Sequence, residues 1–146
     1  MYINQLNAVK NAFAENKVFA LDSNVSSHLF NKGKSVIEVS KSFVVVDQDQ
    51  NKIVCRAVCK FPFTRNELGE VTSFQNNAQF IQNPILTTDY PYALQITLEG
   101  MSVEFGLFID KSLAEIKAHI ESFLDYENSF YIAMDYLNQL NLKKVA

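Results

Sequence analysis

Apolar residues at Tyr2, Leu6, Val9 and Phe13 follow an i, i+4, i+7, i+11 spacing, which lays them along one face of a first helix. Asn4, Gln5, Asn7, Lys10 and Asn11 fill its other faces. Lys17 to Leu21 reads as a short strand and the polar stretch Asp22 to Lys34 as a loop. From Ser35 the period changes to two. Ile37, Val39, Phe43 and Val45 share one parity, and the run FVVVD is strongly β-forming. Asp47 to Asn51 is a turn and Lys52 to Phe61 the returning strand. Pro62 is expected to end it, because a central strand cannot spare the missing N–H.

Glu70 to Gln82 reads as a second helix, with Val71, Phe74, Ala78 and Ile81 on one face and Pro84 as its stop. Two alternating strands follow. Leu94, Ile96 and Leu98 lie on one side of the first, and Val103, Phe105, Leu107 and Ile109 on one side of the second. A two-residue turn at Gly100-Met101 would pair Leu98 with Val103, Ile96 with Phe105 and Leu94 with Leu107. All the large residues then share a face. Glycine at the first central position suits a type II′ turn. The last element is a long helix from Leu113 to Leu140. Ser112 and Glu115 form its capping box, Leu113, Ile116, Ile120 and Phe123 its first apolar stripe, and a kink is expected at Asp125 to Ser129. The order is α-β-β-β-α-β-β-α, an α+β domain with an antiparallel sheet and flanking helices.

At 146 residues, with 48% hydrophobic content, one domain over residues 1–146 is expected, large enough for a core without staples. The net charge of −3 argues against a general nucleic-acid binder. The N-terminal MYINQLNAVKNAFAENK lacks a basic stretch followed by an apolar run, and no apolar run approaches the ~20 residues that span a bilayer. A cytoplasmic protein without a membrane segment is the expectation.

Chemistry is sparse, and the stretch KIVCRAVCKF (52–61) carries the most of it, including both cysteines. In a strand, Ile53, Cys55, Ala57, Cys59 and Phe61 point one way. Four strand residues separate the two cysteine Cα atoms by about 13 Å, too far for a disulfide or one tetrahedral zinc. Both therefore read as core residues, and no metal or cofactor is expected. The opposite side carries Lys52, Val54, Arg56, Val58 and Lys60, a mixed apolar and basic platform and the candidate partner-binding site. It lacks the aromatic residues on which single-stranded nucleic acid stacks. DQDQN, Asp47 to Asn51, imitates the start of a calcium loop. That pattern demands Gly at its sixth position and Glu at its twelfth, where Lys52 and Val58 stand. Glu115 and His119 lie one helical turn apart and read as a surface pair, and Glu121, Asp125 and Glu127 as a solvated face. Nucleophile-elbow, phosphate-loop, dinucleotide and zinc-protease motifs are all missing, so no catalytic residue is assigned and a non-enzymatic role is expected.

The stretch NNAQFIQNPILTTDYPYALQITLEGMSVEFGLFIDKSLAEIKAHIESFL, residues 76 to 124, resembles the type III secretion chaperone-like superfamily. Its members include small effector chaperones and the YbjN-like bacterial regulators. The likeness lies in a helix, a hairpin and a final helix opening L-x-x-I, and in the element order elsewhere. The resemblance implies a protein-binding role without ATP, commonly as a homodimer. It transfers no functional residue. The leading expectation is a chaperone-like or regulatory adaptor that binds a protein client or itself. The alternative is a small-molecule or nucleotide-binding domain with a pocket between sheet and helices.

Overall fold

The computed structural model describes residues 2–29, 34–74, 76, 90–108 and 111–145. Helix α1 (Ile3–Ala14) leads into three long strands, β1 (Phe19–Leu29), β2 (Lys34–Val46) and β3 (Lys52–Arg65), then the short β4 (Val71–Phe74). The hairpin β5 (Tyr92–Leu98) and β6 (Met101–Gly106) follows, and a 3-10 turn (Lys111–Leu113) opens α2 (Ala114–Phe123), with α3 (Tyr126–Val145) last. All strand pairs are antiparallel, in the order β1-β2-β3-β5-β6, and β4 pairs with the far end of β3. This is the α+β architecture that the hydrophobic pattern predicts.

Register decides which side chains share a face. Ile53 opposes Val45, Cys55 opposes Phe43, Cys59 opposes Val39 and Phe61 opposes Ile37, and all eight are buried. On β5, Leu94 and Ile96 continue the same face opposite Ala57 and Cys55. The helices close over it. Val9 of α1, Ile116 and Ile120 of α2, and Ala133 and Leu137 of α3 belong to this one core. Phe43 meets Phe13 of α1 and Phe123 of α2, edge to face, with ring centres 5.4 and 5.2 Å away. Phe61 meets Phe130 of α3 at 5.9 Å. The described helices therefore all lie on one side of the sheet.

Several elements differ from expectation. The stretch 22–29, read as loop, belongs to β1, whose edge pairing with the long β2 outweighs its polar, Ser-rich composition. Val71 to Phe74, read as the start of a helix, is strand; the rest of that helix lies outside the described residues. Pro62 does not end β3. Backbone N–H groups alternate sides along a strand, and that of Lys60 donates to Pro91 O at 2.9 Å on the β5 side. Position 62 faces the same way, where β5 has ended at the Cys59–Tyr92 pair and β4 begins only at Phe63. No ladder bond is lost there. The long terminal helix is two helices, broken at Leu124, whose backbone is extended (φ −125°, ψ 90°). Asp125 restarts the chain as helix by accepting a hydrogen bond from the Asn128 N–H at 2.9 Å. The hydroxyl of the buried Tyr92 donates to the Leu124 carbonyl at 2.6 Å, satisfying a backbone group that the break leaves open.

The β5–β6 turn is also displaced. Leu98 pairs with Met101 and Ile96 with Val103, so the central residues are Glu99 and Gly100, not Gly100 and Met101. Both have positive φ, 52° and 80°, which makes the turn type I′. The shift is two residues, so the faces are unchanged and Leu94, Ile96 and Leu107 are buried as expected. Glycine suits the second central position, but Glu99 adopts a left-handed backbone without a compensating side chain. Glu99→Asn is therefore expected to stabilise the protein by about 0.5–1 kcal/mol in urea melts. A destabilised Glu99→Asn variant would contradict this turn geometry.

Candidate functional site

The side of the sheet that no described helix covers carries every residue of the platform. Lys52, Val54, Arg56, Val58 and Lys60 alternate with the core residues of β3; all five pair with β2, and the middle three pair with β5 as well. Val54 stands between Val44 and Thr97, Arg56 between Ser42 and Gln95, and Val58 between Ser40 and Ala93. The common face is thus as the parity of the strand implies. Exposure along it is not uniform.

A polar network occupies the middle of this face. Arg56 Nη1 donates to Gln95 Oε1 at 2.9 Å, and its Nη2 lies 3.5 Å from Glu38 Oε1. Gln95 Nε2 donates to Glu104 Oε1 at 3.1 Å, and Lys60 Nζ donates to Glu104 Oε2 at 2.7 Å. His28 Nε2 stands 3.2 Å from Glu38 Oε1. Burial works to raise the pKa of Glu104. The hydrogen bonds from Lys60 and Gln95, with the charges of Lys60 and Arg56, outweigh it and hold the carboxyl below its ordinary value. A lowered carboxyl stabilises the fold above its unfolded pKa, and that contribution disappears as pH falls through the folded value.

Val58 sits in the centre of this ring with none of its surface exposed, and Ser40 and Ala93 beside it are buried too. That corrects the expectation of an open apolar residue here. Arg56 and Lys60 are half-buried and already matched by carboxylates, so the strip is not an unbalanced basic surface. Among the described residues, Lys52 alone of the three basic residues has no carboxylate partner. A nucleic-acid phosphate would have to displace Glu38 and Glu104 to reach the other two.

At one end the network gives way to apolar side chains. Phe19, Val44 and Val54 form a continuous rung across β1, β2 and β3, and Val46 stands on the next rung opposite Lys52. Phe19 is 60% exposed and Val54 46%. Phe19 was not legible as part of this face, because only the pairing of β1 with β2 brings it there.

The remaining candidates resolve structurally. Cys55 and Cys59 are free and buried. Burial pushes the Cys55 thiol up to about 12, and burial with the nearby Asp125 charge pushes Cys59 up as well. Both are neutral thiols in neutral water, not nucleophiles. Asp47 is the linchpin of the β2–β3 turn, its Oδ1 accepting from the N–H groups of Asp49 and Asn51 at 2.9 Å each. Glu115 pairs with Lys10 at 3.5 Å, while the His119 ring stacks on Phe13 at 5.4 Å, so they do not form a pair with one another. Glu121 is not a fully solvated carboxylate. One of its oxygens is buried without a partner among the described residues, and burial raises its pKa. No group of three or more metal-ligating side chains occurs among the described residues.

An open cleft of about 890 Å³ lies between α1 and the β2–β3 turn, with Phe19 and Val46 on its wall. It adjoins the apolar end of the sheet. No described helix is long and apolar enough to cross a membrane. Comparison with protein-family models, with curated proteins and with solved structures finds no match to the chain.

Proposed function

We propose that the chain is a non-enzymatic protein-binding domain, a chaperone-like or regulatory adaptor of the bacterial cytoplasm. It holds a protein client or a second copy of itself against the sheet face opposite the described helices. The observation that carries this reading is the rung Phe19–Val44–Val54, exposed at Phe19 and Val54 and half-buried at Val44, with the exposed Val46 beside it, on the face that no described helix covers. Exposed apolar surface rimmed by polar groups is characteristic of interaction sites. Here the rim is Lys52 and the Arg56–Gln95–Glu104–Lys60 network, which fixes orientation through charge and hydrogen bonds while the valines and Phe19 supply apolar area. The resemblance to the secretion chaperone-like superfamily, where homodimers are common, supports the same reading. A nucleic-acid partner is disfavoured by the internal neutralisation of Arg56 and Lys60.

Val44→Asp combined with Val54→Asp tests the proposal, since the changes add charge to the rung without touching the core face. In light scattering after size exclusion, the parent chain is expected as a dimer or with a stoichiometric client from its native host. The double variant is expected as a monomer with unchanged circular dichroism. A parent chain that stays monomeric at high concentration and recovers no partner would overturn the reading, as would undiminished association of the variant.

A further inference from the structure

The cleft between α1 and the β2–β3 turn is rich in carboxamide side chains. Its helical wall presents Asn4, Asn7 and Asn11, spaced i, i+3, i+7 and therefore on one stripe of α1. Asparagine is a poor helix former because its side chain competes for the backbone, so three on one stripe oppose the stability of the helix that carries them. None of the three amides makes a side-chain hydrogen bond within the protein among the described residues. The facing wall is the turn itself, where Gln48, Gln50 and Asn51 add further amides. Asp47 pins that turn from within, and Gln50 has a left-handed backbone (φ 64°). Gln5 also lines the cleft, and its Oε1 is buried without a hydrogen-bond partner among the described residues. Phe19, at the edge where the cleft meets the sheet face, is among its lining residues and is 60% exposed.

We propose that this cleft binds a neutral polyhydroxylated molecule of the saccharide class. A carboxamide presents donor and acceptor atoms in one plane, the complement of a hydroxyl, which does both. A row of such groups suits a ligand bearing several hydroxyls. Phe19 offers its apolar face to the C–H side of a sugar ring, the combination of apolar body and polar surroundings found where ligands are amphipathic. Charge excludes the obvious rival. The lining holds Glu15, Asp47 and Asp49 against Lys17 alone, and Lys17 is already paired with Glu15 at 3.4 Å. A phosphate-bearing nucleotide meets net negative charge there. The volume falls within the range of small-molecule sites, roughly 300–1,000 Å³, but the polar lining departs from the usual apolar one, which favours a polyol over an apolar metabolite.

The proposal goes beyond partner binding on the sheet face, and its test uses residues that the face does not share. Proton–nitrogen NMR spectra of the full chain are recorded during titration with N-acetylglucosamine, cellobiose and maltose, and separately with inorganic phosphate and ATP. Saturable shifts of the Asn7, Asn11 and Gln48 side-chain amides are expected with at least one sugar. Asn7→Ala with Asn11→Ala, both exposed positions, should weaken that sugar's binding about tenfold, as loss of two modest hydrogen bonds does. The variant's circular dichroism and association state should not change. No saturable shift with any of the three sugars overturns the proposal. So does saturation by phosphate or ATP in place of sugar, or sugar binding that the double variant leaves intact. Failure here leaves the sheet-face reading standing, and loss of association in the Val44 and Val54 variant leaves this one standing.

Discussion

Phe43→Ala is expected to cost about 3–5 kcal/mol of stability, the range for deleting a fully buried aromatic side chain. Phe43 has no exposed surface, and its ring is held edge to face by Phe13 from α1 and by Phe123 from α2. Removing it opens a void where sheet and two helices meet, and forfeits two aromatic pairs worth about 0.5–1.5 kcal/mol each beyond their area. The Lys41 ammonium, 4.3 Å from the centre of the Phe123 ring, loses the fixed position of that ring as well. In urea the midpoint should fall by roughly 2 M, given slopes near 2 kcal/mol/M. Phe43→Leu, which retains much of the volume, should cost about 1.5 kcal/mol or less. A loss below about 1 kcal/mol for Phe43→Ala would show that this junction is not a packed core.

The core was legible because it is written in period. Ile37, Val39, Phe43 and Val45 on β2, and the alternate residues of β3 and β5, keep one parity, while the positions between them mix polar residues with Val44, Val46, Val54, Val58 and Ala93; a buried face imposes the shared parity. What escaped was set by neighbours in space. β1 has Ser and Asn where a strand would ordinarily place branched residues, and only β2, thirteen residues long, holds it extended. Val71 and Phe74 have a spacing that helix and strand both tolerate over four residues, and pairing with Phe63 to Arg65 decides between them. In the β5–β6 turn, Gly100 was a correct signal attached to the wrong central position. A shift of two preserves every face, so the hydrophobic pattern could not discriminate the two registers.

The candidate site was half legible for a related reason. Parity alone places Lys52, Val54, Arg56, Val58 and Lys60 together, and the structure keeps them together. Parity says nothing of what stands on the other strands. Glu38, Gln95 and Glu104 come from β2, β5 and β6, and their convergence converts a basic strip into a neutralised network. Phe19 joins the apolar end from β1 by the same kind of long-range pairing. The apolar surface consequently moves toward Val44, Val46 and Val54, and away from Val58.

Val58→Asp is expected to destabilise the monomer by about 3–5 kcal/mol, whereas Val54→Asp should cost about 1 kcal/mol or less. The two valines have the same parity, four residues apart on β3, and differ only in surroundings. Val54 is 46% exposed, so a carboxylate there remains hydrated and forfeits mainly β propensity. Val58 is fully buried between Ser40 and Ala93. An introduced carboxylate loses the apolar burial of the valine and its own water. Arg56 could turn to meet it, but Glu38, whose side chain is only 10% exposed, would then lose its guanidinium partner. Either arrangement leaves one desolvated carboxylate short of a cation. The deficit should ease as pH falls, because an introduced carboxyl with a raised folded pKa is penalised only while ionised. Val58→Thr, close in shape and uncharged, should cost less than Val58→Asp and keep its cost at low pH. Equal tolerance of aspartate at positions 54 and 58 in urea melts would mean that the network does not close around Val58. The whole platform, not only its apolar end, would then be available to a partner.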